Sequence, residues 1–218
     1  MLTVLALPLA LLGMQQQAIA DRLAGRVSPD IAALVGELGT AAAARGLPID
    51  PLIQKAIEGS AKGIPFERLA TAVRLVAMQL DTAAGALRNG GLAADTAAIA
   101  AGAFAITAGL SGRDIAQLAR SGAQVPEVTV GLRVAGTLVA LGVPPFETVT
   151  LVTATLQSGR PAGELLALPG QVQAQMAKGV APAQAAAGLA RAAAAQGRRG
   201  PPPARPQPPP HPEPPPRP

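Results

Sequence analysis

The chain has 218 residues, a formal net charge of +5, 49% apolar residues and no cysteine. That apolar content is enough for a folded core, and the missing cysteines exclude disulfides, thiolate metal sites, thiol nucleophiles and cysteine-linked lipids. Phe66, Phe104 and Phe146 are the only aromatic residues, so the core has to be built from Ala, Leu, Val and Ile, a mixture that favours helix over strand.

The first segment, residues 1–20, reads as a signal peptide. Leu2–Leu12 is an apolar run of the length of a signal core, and Ala18-Ile19-Ala20 is a small-x-small cleavage pattern ahead of Asp21. No Lys or Arg precedes the run, which departs from the usual basic start. The run is too short to cross a bilayer of roughly 30 Å. An exported chain without disulfides points to the periplasm or cell envelope of a bacterium.

From 21 to 197 the expected structure is an all-α domain of short helices. One punctuation recurs: glycine, an aliphatic residue, then a helix-opening residue, as in Gly46-Leu47-Pro48, Gly63-Ile64-Pro65, Gly91-Leu92-Ala93, Gly109-Leu110-Ser111, Gly142-Val143-Pro144 and Gly179-Val180-Ala181. Glycine takes the left-handed position that ends a helix, the aliphatic packs back on the finished turn, and proline suits the first turn of the next helix. Ser28-Pro29-Asp30 and Asp50-Pro51 look like helix caps, and Ser111 with Asp114 resembles a capping box. Early acidic residues, among them Asp30, Glu67, Glu127 and Glu147, suit the positive end of the helix dipole.

Apolar spacing places helices near 29–45, 50–61, 65–88, 93–108, 112–121, 126–141, 145–158, 162–168, 170–178 and 182–196. Phe66, Leu69, Val73, Val76 and Leu80 form one expected core stripe. Two blocks, 63–69 and 142–149, look alike, which suggests tandem helical hairpins of about 35 residues in a solenoid-like array, with an irregular bundle as the alternative. The pattern lacks the Trp, Tyr and Phe positions of the tetratricopeptide consensus. Thr96–Leu110 is uncharged but short and alanine-rich, so it reads as a buried helix; Ala98, Gly102, Ala105 and Gly109 would let neighbours approach closely, and no stable membrane span is expected.

Residues 198–218 contain twelve prolines, which excludes helix and sheet and predicts a solvated, disordered tail. The tail carries Arg198, Arg199, Arg205 and Arg217 against Glu213, so +3 of the net charge lies there and +2 elsewhere. The basic balance therefore marks no nucleic-acid surface, and aromatic platforms for bases are missing.

Chemistry is sparse. His211, the only histidine, lies in the tail, so the folded part lacks the commonest general base. No nucleophile elbow, phosphate-binding loop or zinc-helix motif is present. Ser60 and Lys62 would point about 200° apart on a helix. Acidic residues are mostly singletons at helix starts, so no catalytic residue, metal site or cofactor is expected. One polar cluster stands out: Lys55, Glu58 and Lys62 share a helix face beside Gly59 and Gly63, as a docking patch for an anionic group or partner, or as a plain solvated ion pair. The sequence as a whole points to a non-enzymatic helical adaptor or scaffold that binds another envelope protein, and alternatively to a carrier of an apolar, lipid-like ligand.

Overall fold

The computed structural model describes residues 17–159 and 162–198; the apolar run Leu2–Leu12 and nearly all of the proline-rich segment lie outside them. The described chain is all-helical, with no strand among these residues. The elements are α1 (17–23), α2 (Pro29–Ala43), α3 (Asp50–Ala61), α4 (Phe66–Asn89), α5 (Thr96–Ala108), α6 (Gly112–Ala119), α7 (Val125–Ala140), α8 (Pro145–Gln157), α9 (Ala162–Met176) and α10 (Pro182–Gly197). No helix among the described residues is long and apolar enough to cross a membrane.

The glycine punctuation ends these helices as its chemistry requires. Gly46 and Gly142 have φ of 71° and 89°, a conformation that a Cβ disfavours. Gly46 donates to the carbonyl of Ala43 at 2.9 Å, and Leu47 donates to that of Ala42 at 3.0 Å. Gly142 and Val143 repeat this pairing on Val139 and Leu138 at 2.9 and 3.1 Å. The same two bonds recur after Gly63, Gly91, Gly109 and Gly179, so the carbonyls a helix leaves unpaired at its end are satisfied from within the chain. Of the aliphatics that follow, Leu47, Leu110 and Val143 are buried, whereas Ile64 stays at the surface.

The helix starts differ from expectation in instructive ways. Ser28 caps α2, accepting from the amide of Ile31 at 3.4 Å, and Ser111 and Asp114 form a reciprocal capping box on α6. Asp50, however, is the first residue of α3 and not its cap; its carboxylate is taken by Arg22 of α1, at 2.7 Å. Pro65 and Pro144 sit at the cap, with ψ of 147° and 149°, and not inside the first turn. Helix α5 starts at Thr96 and not at 93, because the Asp95 side chain accepts from the amide of Ala98 at 2.8 Å. The two helices expected at 162–168 and 170–178 are one, α9, which runs through Pro169. Buried Leu165, Leu168 and Val172 form a single stripe across the proline, and that packing offsets the missing hydrogen bond.

From α2 on, the helices pack on their neighbours in chain order and, α3 excepted, on those two places away. Helices α2, α4, α6, α8 and α10 therefore form one row, and α5, α7 and α9 a second row against it. The second row is interrupted: α3 and α5 both pack on α4 but make no substantial contact with each other. Small residues set the close approaches. A Cβ on Gly102 of α5 would stand 3.0 Å from the Cβ of Ala83 on α4, and one on Gly59 of α3 would stand 2.2 Å from Leu69 of α4. Gly59 is thus buried under Leu69, whereas Gly63, the other glycine beside the Lys55–Glu58–Lys62 cluster, is exposed with open space next to it. The expected stripe on α4 holds for Leu69, Val73 and Leu80, but Phe66 is exposed at the helix start.

At the N-terminal end, Ile19 and Leu23 of α1 are buried in the core. The Cδ1 of Ile19 occupies the space over Gly39, 2.8 Å from where a Cβ would be. The folded helix therefore begins inside the segment 1–20.

Candidate functional site: a trough between α3 and α5

Because α3 and α5 stand apart on α4, an apolar trough of about 800 Å³ opens between them. Three helices line it with the same spacing. Pro51, Gln54, Lys55 and Glu58 come from α3; Ala72, Leu75, Val76 and Gln79 from α4; Ala100, Ala103, Phe104 and Thr107 from α5. Positions i, i+3, i+4 and i+7 fall on one helix face, so each helix turns one stripe to the trough. The alanines keep the floor low, and Leu75 and Phe104 stand out of it, 51% and 48% exposed. An aliphatic and an aromatic side chain left this open on adjacent helices are what a binding surface retains and a core would bury.

The polar groups lie on the rims. Thr107 donates to the side-chain oxygen of Gln79 at 2.9 Å, tying α5 to α4. Glu58 holds both lysines of the predicted patch: Lys55 lies 3.7 Å away, and Lys62 is hydrogen-bonded to it. The hydrogen bond from Lys62, with the positive charges of Lys55 and Lys62, holds the Glu58 carboxyl below the usual carboxylate range. The Glu58 side chain is exposed, so this pairing orders a surface more than it stabilises the fold.

Arg133 of α7 is the only guanidinium among the lining residues. It reaches the trough past α5, where the Phe104 ring lies against Gly136 of α7. No carboxylate pairs with Arg133 among the described residues. Lys55, Glu58 and Arg133 give the lining a charge of +1, and Lys62, bound to Glu58, raises the immediate surroundings to +2.

The structure thus brings Lys55 and Glu58 to the trough and leaves Lys62 beyond its lining, at the end of α3. Sequence reasoning missed Leu75, Phe104 and Arg133. Leu75 carried a readable signal, since it is apolar and falls off the Leu69–Val73–Val76–Leu80 stripe. Arg133 carried none, because its place depends on α7 packing behind α5. No protein-family model, curated protein sequence or solved structure matches this chain.

Proposed function

We propose that the protein is a non-enzymatic, exported helical adaptor of the bacterial envelope, and that it binds another protein in the trough between α3 and α5. The observation that carries this reading is the pair Leu75 and Phe104, half-exposed on the α4 floor and the α5 wall of one apolar trough. The contacts between helices two places apart support a solenoid-like stack of helical hairpins, an architecture whose concave faces serve as interaction surfaces. A photo-activatable residue in place of Leu75, in cells, tests the reading directly. It should yield one discrete protein adduct that is lost when Phe104 is changed to Ser. The same residue in place of Leu166 on α9, itself 63% exposed, should not yield that adduct. Equal capture from both positions would remove the reading.

The apolar lining also favours a second reading, a carrier of a lipid-like ligand. The trough is open to solvent along one side, so an acyl chain lying in it would keep one face in water, whereas a protein partner would cover it. Native mass spectrometry of the purified protein separates the two: a bound lipid mass supports a carrier, and a bare chain supports an adaptor.

A further inference from the structure

The trough's shape and charge restrict what fills it. Its stripes on α3 and α4 each run over eight residues, 51–58 and 72–79, a length of about 10 Å, or two helical turns. A partner helix laid there would present its own apolar side chains at i, i+3, i+4 and i+7, which is the usual helix-in-groove mode. The rims set its charge. Glu58, the one carboxylate, is already shared between two lysines, while Arg133 has no acidic partner among the described residues. A guanidinium that a partner covers is best met by a carboxylate, which accepts two of its N–H groups.

Resting on the reading of the trough as a partner site, we infer that its occupant is an amphipathic helix of another protein that carries an acidic residue at the edge of its apolar face, set against Arg133. The chain's own ends fit poorly. Residues 1–20 contain no charged side chain, and 198–218 carry four arginines against Glu213. A basic tail would meet Arg133 and Lys55 with like charge.

Two synthetic peptides test this on the purified full chain. Both are roughly 18 residues long, so that they are helical by themselves, with the same leucine stripe. One has glutamates flanking the stripe and the other lysines. The glutamate peptide should bind at least about tenfold more tightly, the scale of one well-placed charge pair across an interface. Arg133→Gln should remove most of that preference. The double change Leu75→Ser, Phe104→Ser should abolish binding of either peptide. All three positions are at the surface, so circular dichroism should show each variant folded.

Equal binding of the two peptides by a trough that still needs Leu75 and Phe104 would overturn the acidic-helix inference and leave the partner site standing. Binding of neither peptide, or binding that survives the double change, would overturn both. Oleate, titrated in the same assay, gives the remaining outcomes. Saturable oleate binding without peptide binding would replace the helix by a lipid, and failure of excess oleate to displace bound glutamate peptide supports the helix. Concentration-dependent self-association lost in the double variant, seen by sedimentation, would replace it by a second copy of the chain.

Discussion

The ring of Phe104 fills the space over Gly136: a Cβ there would stand 2.6 Å from Cε1 and 2.8 Å from Cδ1 of the ring. The same Cβ would stand 3.2 Å from the Cα of Ala105, so α7 has little freedom to slide away. The glycine therefore sets how far the aromatic leans out of the α5 wall. Gly136→Ala should cost about 1–3 kcal/mol, the usual range for overpacking, and should weaken peptide binding by turning the ring. Urea unfolding and a binding titration on the same variant check both effects. Phe104→Ala should remove binding at a smaller cost in stability, because the ring is half-exposed already.

Two further glycines should respond with opposite signs. A Cβ on Gly90, at the end of α4, would meet the Cβ of Ala119 at 2.4 Å and the carbonyl oxygen of Ala116 at 2.8 Å. Neither atom has a rotamer to move, so Gly90→Ala should destabilise by about 1–3 kcal/mol. Gly36, inside α2, has nothing within 4 Å of a built Cβ. Gly36→Ala should stabilise by about 0.5–1 kcal/mol through helix propensity alone. The thermal midpoints of the two variants should therefore move in opposite directions.

Ile19 lies within the segment read as a signal peptide, yet it is buried against Gly39. Ile19→Ala should cost about 2–4 kcal/mol, as removal of a buried isoleucine does. A chain beginning at Asp21 should be less stable than one beginning at Gln17 by a similar amount. Intact-mass analysis of protein recovered from the cell envelope then reads which form is made. Recovery of the whole protein in the cytoplasmic fraction would remove the export proposal.

Glu58 should titrate below the usual carboxylate range, chiefly through the hydrogen bond from Lys62 and then the charge of Lys55. A folded pKa that is depressed stabilises the fold above the ordinary carboxylate range. That contribution is lost as pH falls through the lowered value. In Lys62→Gln, the carboxyl midpoint followed by NMR should move up towards the ordinary value, and in Lys55→Gln it should move less. An unchanged midpoint in both would show that the pairs do not form in solution.

The fold was far more legible than the site. Helix ends are local events: Gly46, Gly142 and their equivalents announce themselves, because the left-handed turn and its two hydrogen bonds need only neighbours in sequence. Asp95 escaped notice since Ala93 and Ala94 are good helix formers, and only the cap geometry decides where α5 starts. Pro169 misled for the opposite reason. Its local preference is to break a helix, and the buried stripe of Leu165, Leu168 and Val172 overrides it. Of the site, Lys55 and Glu58 were visible as charges on one helix face. Phe104 looked like core, since the whole uncharged stretch Thr96–Leu110 reads as a buried helix. That its ring faces the trough follows from the gap between α3 and α5, a property of the stack and not of any one segment.

The most direct measurement is an amide chemical-shift map of the isotopically labelled protein, titrated with the glutamate-flanked peptide. Shifts concentrated at 51–58, 72–79 and 100–107, with Arg133 among them, are the expected result. Shifts spread over α8–α10, or none at saturating peptide, would contradict the trough as the binding surface.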